Sequence, residues 1–172
     1  SFSFDNYGNV LTKTAQYQEP GAQHVVTSNV SNNYLINASD WWVNRPTTQT
    51  TTINPIAQRK GIAIADDTDT QKTITVTFDD WDTQARKPKQ VTTTPSSGKA
   101  TTVITDYNTY GLPKTVTSAA KGETQGRTLT YGYSEDFYFV NKVTNALDHE
   151  TKTHTDPRFG VPLWVEDANG NR

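Results

Sequence analysis

The plainest pattern in the chain is an alternation of apolar and polar positions. Ile74, Val76 and Phe78 fall on one parity, and Thr73, Thr75 and Thr77 on the other. Leu129, Tyr131 and Tyr133 repeat that rhythm, as do Val161, Leu163 and Val165. A period of two places successive side chains on opposite faces of a strand. No window carries a helical period, and the β-branched Thr runs disfavour helix. The pattern therefore predicts an all-β chain of antiparallel β-hairpin repeats forming one curved, twisted sheet strip, without substantial helix.

Between the strands the chain repeats itself. "FDNYGNVLTKT" (4–14) and "YNTYGLPKTVT" (107–117) share one order: aromatic, Asp or Asn, any residue, Tyr, Gly. Phe4, Asp5, Tyr7 and Gly8 supply the first copy, and Tyr107, Asn108, Tyr110 and Gly111 another. A third copy takes Phe78, Asp79 and Trp81, with Asp82 where Gly would stand. Tyr133 with Ser134 and Asp136, and the pair Phe159–Gly160, give two more. On this alignment Phe78 and Tyr107 lie 29 residues apart, and Tyr107 and Tyr133 lie 26 apart. A second phrase interleaves: "VTNALDHET" (143–151) and "VEDANGNR" (165–172) both lead into a polar turn. Asn, Asp and Gly at these points supply the positive φ of tight hairpin turns.

Two stretches interrupt the rhythm. Residues 34–53 hold an aromatic knot at Trp41–Trp42, placed here as a partner or loop contact because adjacent strand residues face opposite sides. Residues 57–71 read as a long surface loop with an acidic tip. Residues 92–100 and 118–126 read as hairpin loops rather than linkers, so residues 1–172 form a single repeat region.

Composition refines this picture. Hydrophobic residues make up 33% of the 172-residue chain and mean hydropathy is −0.74, a thin supply for a two-layer core. A net charge of −2 removes self-repulsion as a cause of disorder, while four Trp, eight Tyr and six Phe argue for packing. Thirty Thr residues suit pleated strands. Cysteine is absent, which excludes a disulfide framework and thiol chemistry. A pI near 5.9 gives no electrostatic footprint for nucleic acid, and no apolar run reaches a membrane span of about 18 residues. The chain opens at Ser1 close to a repeat and closes on a turn, so an excised fragment of a much larger protein is expected.

The interleaved repeats, together with "SDWWVNRPTTQTT" (39–51), resemble the RHS or YD repeat family. That family includes the B components of Tc-type insecticidal toxins and bacterial Rhs toxins. In the Trp-apolar element, Asn44 stands where those proteins carry Gly. The resemblance implies a non-catalytic segment of a hollow shell from a secreted or surface bacterial protein. Such a shell encloses and delivers a toxic domain, so the implied partners are the rest of the shell and its cargo. Open strand edges would also allow self-association. The alternative is a carbohydrate-binding or adhesion module built from the same repeats, with glycan as partner. "DPRFG" (156–160) resembles the Asp-Pro-x-Gly segment of RHS shells where aspartyl self-cleavage can lie; the extra residue Arg158 favours an ordinary turn.

Sharper chemistries find little support in the spacing. His149 and His154 are five apart, which on a strand places the rings on opposite faces, so with Glu150 they form no predicted metal site. "DDTDT" (66–70) lacks the spacing of a calcium loop, and His24 stands alone. Asp40, Glu135 and Asp136 are the carboxylates a glycosidase would need, with no spacing that selects a pair. The reading therefore assigns no catalytic, cofactor or metal residue. The recurring aromatics are expected to pack in the sheet more often than to bind sugars.

Overall fold

A computed structural model describes residues 1–17, 26–55, 71–123 and 126–172. Twelve strands follow one another: β1 (Phe2–Phe4), β2 (Val10–Tyr17), β3 (Val26–Asn37), β4 (Trp42–Pro55), β5 (Lys72–Asp82), β6 (Lys87–Pro95), β7 (Thr101–Tyr107), β8 (Pro113–Ala120), β9 (Arg127–Tyr133), β10 (Val140–Thr144), β11 (Glu150–Thr155) and β12 (Pro162–Glu166). They form one sheet whose spatial order is the sequence order, β1 through β12. The described ladders are all antiparallel, and no described residue is helical. The hairpin array is thus a meander, the topology that short turns between sequential strands favour. The proposed loop at 57–71 lies outside the described residues except for Gln71. The loops around 92–100 and 118–126 are shorter than the sequence implied, because β6 runs on to Pro95 and β8 to Ala120.

The chain divides into two compact units. The first comprises residues 1–78 and 92–100, the second residues 79–91 and 101–172. In the first unit, register sorts the side chains by chemistry. Thr50 faces Thr75 and Thr52 faces Thr73, with each pair of hydroxyls 3.4 Å apart. Thr48 stands opposite Asn33, whose amide donates to the Thr hydroxyl at 2.7 Å. Asn29, Ser31, Thr12 and Thr14 continue this uncharged face across β3 and β2. The other face carries Ile74, Val76 and Val30, opposite Thr51, Gln49 and Lys13.

In the second unit, Val116 pairs with both Thr105 and Leu129, and Val143 with Tyr131. The opposite face carries Thr117 and Thr128, whose hydroxyls lie 2.8 Å apart. That face continues into alternating charge. Lys142 pairs with Glu150 at 2.9 Å, Lys152 with Glu166 at 3.7 Å, and Glu166 with Arg172 at 2.8 Å.

Among the described residues the core is small. Trp42 is the one buried large apolar side chain, with 9% of its surface accessible and the Arg45 guanidinium 4.6 Å from its ring centroid. No described side chain is fully buried, and Ile74, Leu129, Leu163 and Val165 on the apolar faces remain exposed. Backbone ladders and cross-strand pairs, rather than a second packed layer, hold each unit.

Candidate functional site

The chemistry-bearing residues gather at the turns. Four turns share one construction. At Asp5, Asn108, Asn145 and Asp167 the backbone N–H donates to the carbonyl four residues on, at 2.8 to 3.0 Å. The carbonyl of the same residue accepts from the N–H three residues on. The third following residue holds positive φ: Gly8 at 84°, Gly111 at 73°, Asp148 at 59° and Gly170 at 83°. This is a type I turn closed by a left-handed residue, a common three-residue hairpin loop. The leading Asx side chain accepts two further backbone N–H groups. Asn108 Oδ1 takes those of Tyr110 and Leu112, at 2.9 and 3.0 Å. Asp5, Asn145 and Asp167 do the same. The "NALDH" and "DANGN" phrases are therefore the same turn as "DNYGN" and "NTYGL". Within the second unit the two phrases open opposite ends of the meander, which is why they interleave.

Three turns carry one more residue. At Ser134 and Asp156 the closing carbonyl is five residues on. Asp82 Oδ1 accepts from the N–H groups of Gln84 and Ala85, and positive φ falls later, on Arg86 at 53°. The third repeat is thus led by Trp81–Asp82, while Phe78 and Asp79 lie upstream within β5. With that frame Trp81, Tyr107 and Tyr133 stand 26 residues apart, replacing the uneven spacing read from Phe78. Asp82 takes the leading acid's place, not that of Gly.

The leading aromatics couple successive repeats. Tyr107 donates its hydroxyl hydrogen to the Pro88 carbonyl at 3.0 Å, and Tyr133 donates to Pro113 at 2.7 Å. Burial raises the pKa of both phenols above the ordinary tyrosine value. Tyr34 makes a like bond to the Val10 carbonyl at 3.2 Å in the first unit. The proline-to-tyrosine link was not read in the sequence; "KPK" (87–89) and "LPK" (112–114), each shortly after a turn, are its visible signal.

The second aromatic of the motif behaves differently. Tyr7, Tyr110 and Phe159 sit at turn tips and are exposed, Tyr110 by 65% and Phe159 by 72%. Packing inside the sheet, expected of all recurring aromatics, is met by the leading Tyr107 and Tyr133, while the leading Phe4 is exposed like the tip rings. Tyr110 does meet Phe137 of the neighbouring turn, with centroids 4.2 Å apart. Trp41 is exposed and Trp42 buried; Trp41 lies in the β3–β4 turn at φ 52° rather than on a strand. Gly160 holds φ 67° in the turn opened by Asp156.

The polar candidates also find places. Asp156 is buried, and the Arg158 guanidinium forks onto its carboxylate at 2.9 and 3.2 Å. That fork, with the Arg158 and Phe159 N–H groups, holds the carboxyl below the usual range. Asp136 is held low by Ser134, whose hydroxyl it accepts, and by the Tyr138 N–H. Glu135 and Asp136 are neighbours in one turn rather than partners across a cleft, and Asp40 bonds Asn37 in the β3–β4 turn. Glu150 pairs with Lys142, while His149 closes the Asn145 turn. Among the described residues no three His, Asp or Glu side chains converge as a metal ligand set. His24 and residues 66–70 lie outside the described residues. No described helix is long and apolar enough to cross a membrane. No protein-family model matches the chain, and no curated protein matches it.

Proposed function

We propose that this chain is a non-catalytic wall segment of an RHS/YD-type shell from a secreted or surface bacterial protein. In that role it helps enclose a toxic domain. The observation that carries the reading is a sheet in strict sequence order, with turns opening 26 residues apart at Asp82, Asn108 and Ser134 and a tyrosine–proline bond before each of the last two. Each repeat makes its stabilising bonds to its neighbours, so length adds wall rather than core. β1 and β12 are terminal in the strand order, and each offers a ladder edge to a further strand. In a shell those are the joints between segments.

The test is single-particle electron microscopy of the full-length gene product. The expected particle has this strip as one band of a wall around an interior that holds further protein density. A solid particle, or a sheet open to solvent on both faces in the complete protein, overturns the reading. A second reading, a carbohydrate-binding or adhesion module, is favoured by the exposed turn-tip rings of Tyr110 and Phe159.

A further inference from the structure

We propose that the cleft between the β9–β10 and β11–β12 turns binds a single ring of a neutral saccharide. This rests on the carbohydrate-binding reading and gives it a location. The cleft measures about 360 Å³ and is lined by Ser134, Glu135, Asp136, Phe139, Asn141 and His154, among others. That volume lies at the lower end of the ~300–1,000 Å³ typical of small-molecule sites, which suits one ring rather than a polymer.

Three of the polar side chains are available to a ligand. Glu135, Asn141 and His154 make no side-chain hydrogen bond among the described residues, whereas Ser134 and Asp136 bond each other. The available set provides a carboxylate acceptor, an amide with both donor and acceptor, and an imidazole. Vicinal hydroxyls need such paired donors and acceptors. Phe139 supplies an apolar wall for the C–H face of a sugar ring. The His154 ring is steadied by stacking on Trp164, with centroids 5.7 Å apart.

The same residues exclude other ligand classes. Glu135 and Asp136 repel phosphates and acidic sugars. A peptide bound as an added strand needs an open ladder edge, and β10 and β11 are paired on both sides. An uncharged polyol meets the lining's donors and acceptors without charge repulsion.

The probes are the methyl glycosides of glucose, galactose, mannose and N-acetylglucosamine, with glucuronic acid as the acidic comparison. Saturation-transfer NMR reads binding, and amide shifts map it. At least one neutral glycoside is expected to bind, to move the amides of 134–141 and 153–155, and to outcompete glucuronic acid. Glu135→Gln and His154→Ala, both at exposed positions, should each weaken that binding at least about tenfold. Leu147→Ala, at the exposed tip of the Asn145 turn at the other end of the strands, should leave it unchanged. Binding that survives both cleft substitutions but disappears with Tyr110→Ala overturns the cleft and keeps the carbohydrate reading. Silence from all four neutral glycosides overturns both.

Discussion

Gly111 offers the most direct test of the turn that organises this fold. Its φ is +73°, and its N–H closes the turn onto the Asn108 carbonyl at 2.9 Å. A Cβ at this position would lie 3.4 Å from both Cα and Cβ of Ala85. Gly111→Ala therefore fits sterically but forces an L-residue into left-handed conformation, at about 1–2 kcal/mol. Gly111→Val brings γ-methyl groups up against Ala85, and fitting them costs about 1–3 kcal/mol more. Asn tolerates the left-handed region, so Gly111→Asn should lose less than Ala despite its larger side chain. In a chain of this length each kcal/mol lowers Tm by about 2–4 °C. Thermal melting followed by circular dichroism should then rank the variants Asn, Ala, Val in increasing loss, with Ala about 2–8 °C below the parent. An unchanged Tm for Ala removes the positive-φ assignment. Equal losses for Asn and Val would show that contact with Ala85, not backbone conformation, sets the cost.

Tyr133→Phe removes the 2.7 Å bond to the Pro113 carbonyl and should lower stability by about 0.5–1.5 kcal/mol, seen as a lower urea midpoint at constant m. Asp148→Gly relieves a non-glycine residue at φ 59°, so it should raise stability by about 0.5 kcal/mol, read as a higher urea midpoint; a lower midpoint would count against the shared turn geometry. Stability should also bracket the neutral range. Asp156, Asp136, Asp167, Glu150 and Glu166 have lowered pKa values, so their contribution is present above the unfolded carboxylate value and lost as pH falls through the lowered ones. Tyr107 and Tyr133 are raised by burial, so theirs is present below the ordinary phenol value and lost as pH rises through the raised ones. Tm should therefore fall on both flanks, as pH drops through the lowered carboxylate values and as it rises through the raised phenol values; a Tm that holds level through either flank would refute this account.

The strands and turns were legible because both carry local signals. Thr73 to Phe78 alternates with a period of two, and "NYG" and "TYG" spell out a turn tip and its left-handed residue. The frame of the third copy was not legible. Phe78–Asp79–Trp81 matches the motif by residue type as well as Trp81–Asp82 does, and only the hydrogen bonds of Asp82 choose between them. The one-residue expansions are hidden for a like reason. A loop closed by Arg86 or Phe137 in left-handed conformation carries no Gly to announce it. The split between the packed rings of Tyr107 and Tyr133 and the exposed ones depends on contacts with neighbouring strands, which motif order does not encode. The cleft joins Glu135 to His154 across two hairpins, a juxtaposition set by register rather than spacing.

The scarcity of buried side chains connects fold to role. An ordinary domain buries an apolar face of its sheet against a second layer. Here Ile74, Leu129, Leu163 and Val165 keep their apolar faces open, while polar groups are bonded repeatedly: Asx to turn amides, tyrosine to proline carbonyl, Thr to Thr. Directional bonds of this kind fix register strongly, but each contributes only about 0.5–1.5 kcal/mol net. Such an arrangement specifies one shape while depending on neighbours for stability. That is the demand on a strip of wall: rigid local geometry, with an apolar side left for further protein to cover. An isolated binding domain of the same size has the opposite need, a closed core that holds its site without help. The balance of these two demands supports the wall role we propose, with the proposed saccharide cleft carried between two of its turns.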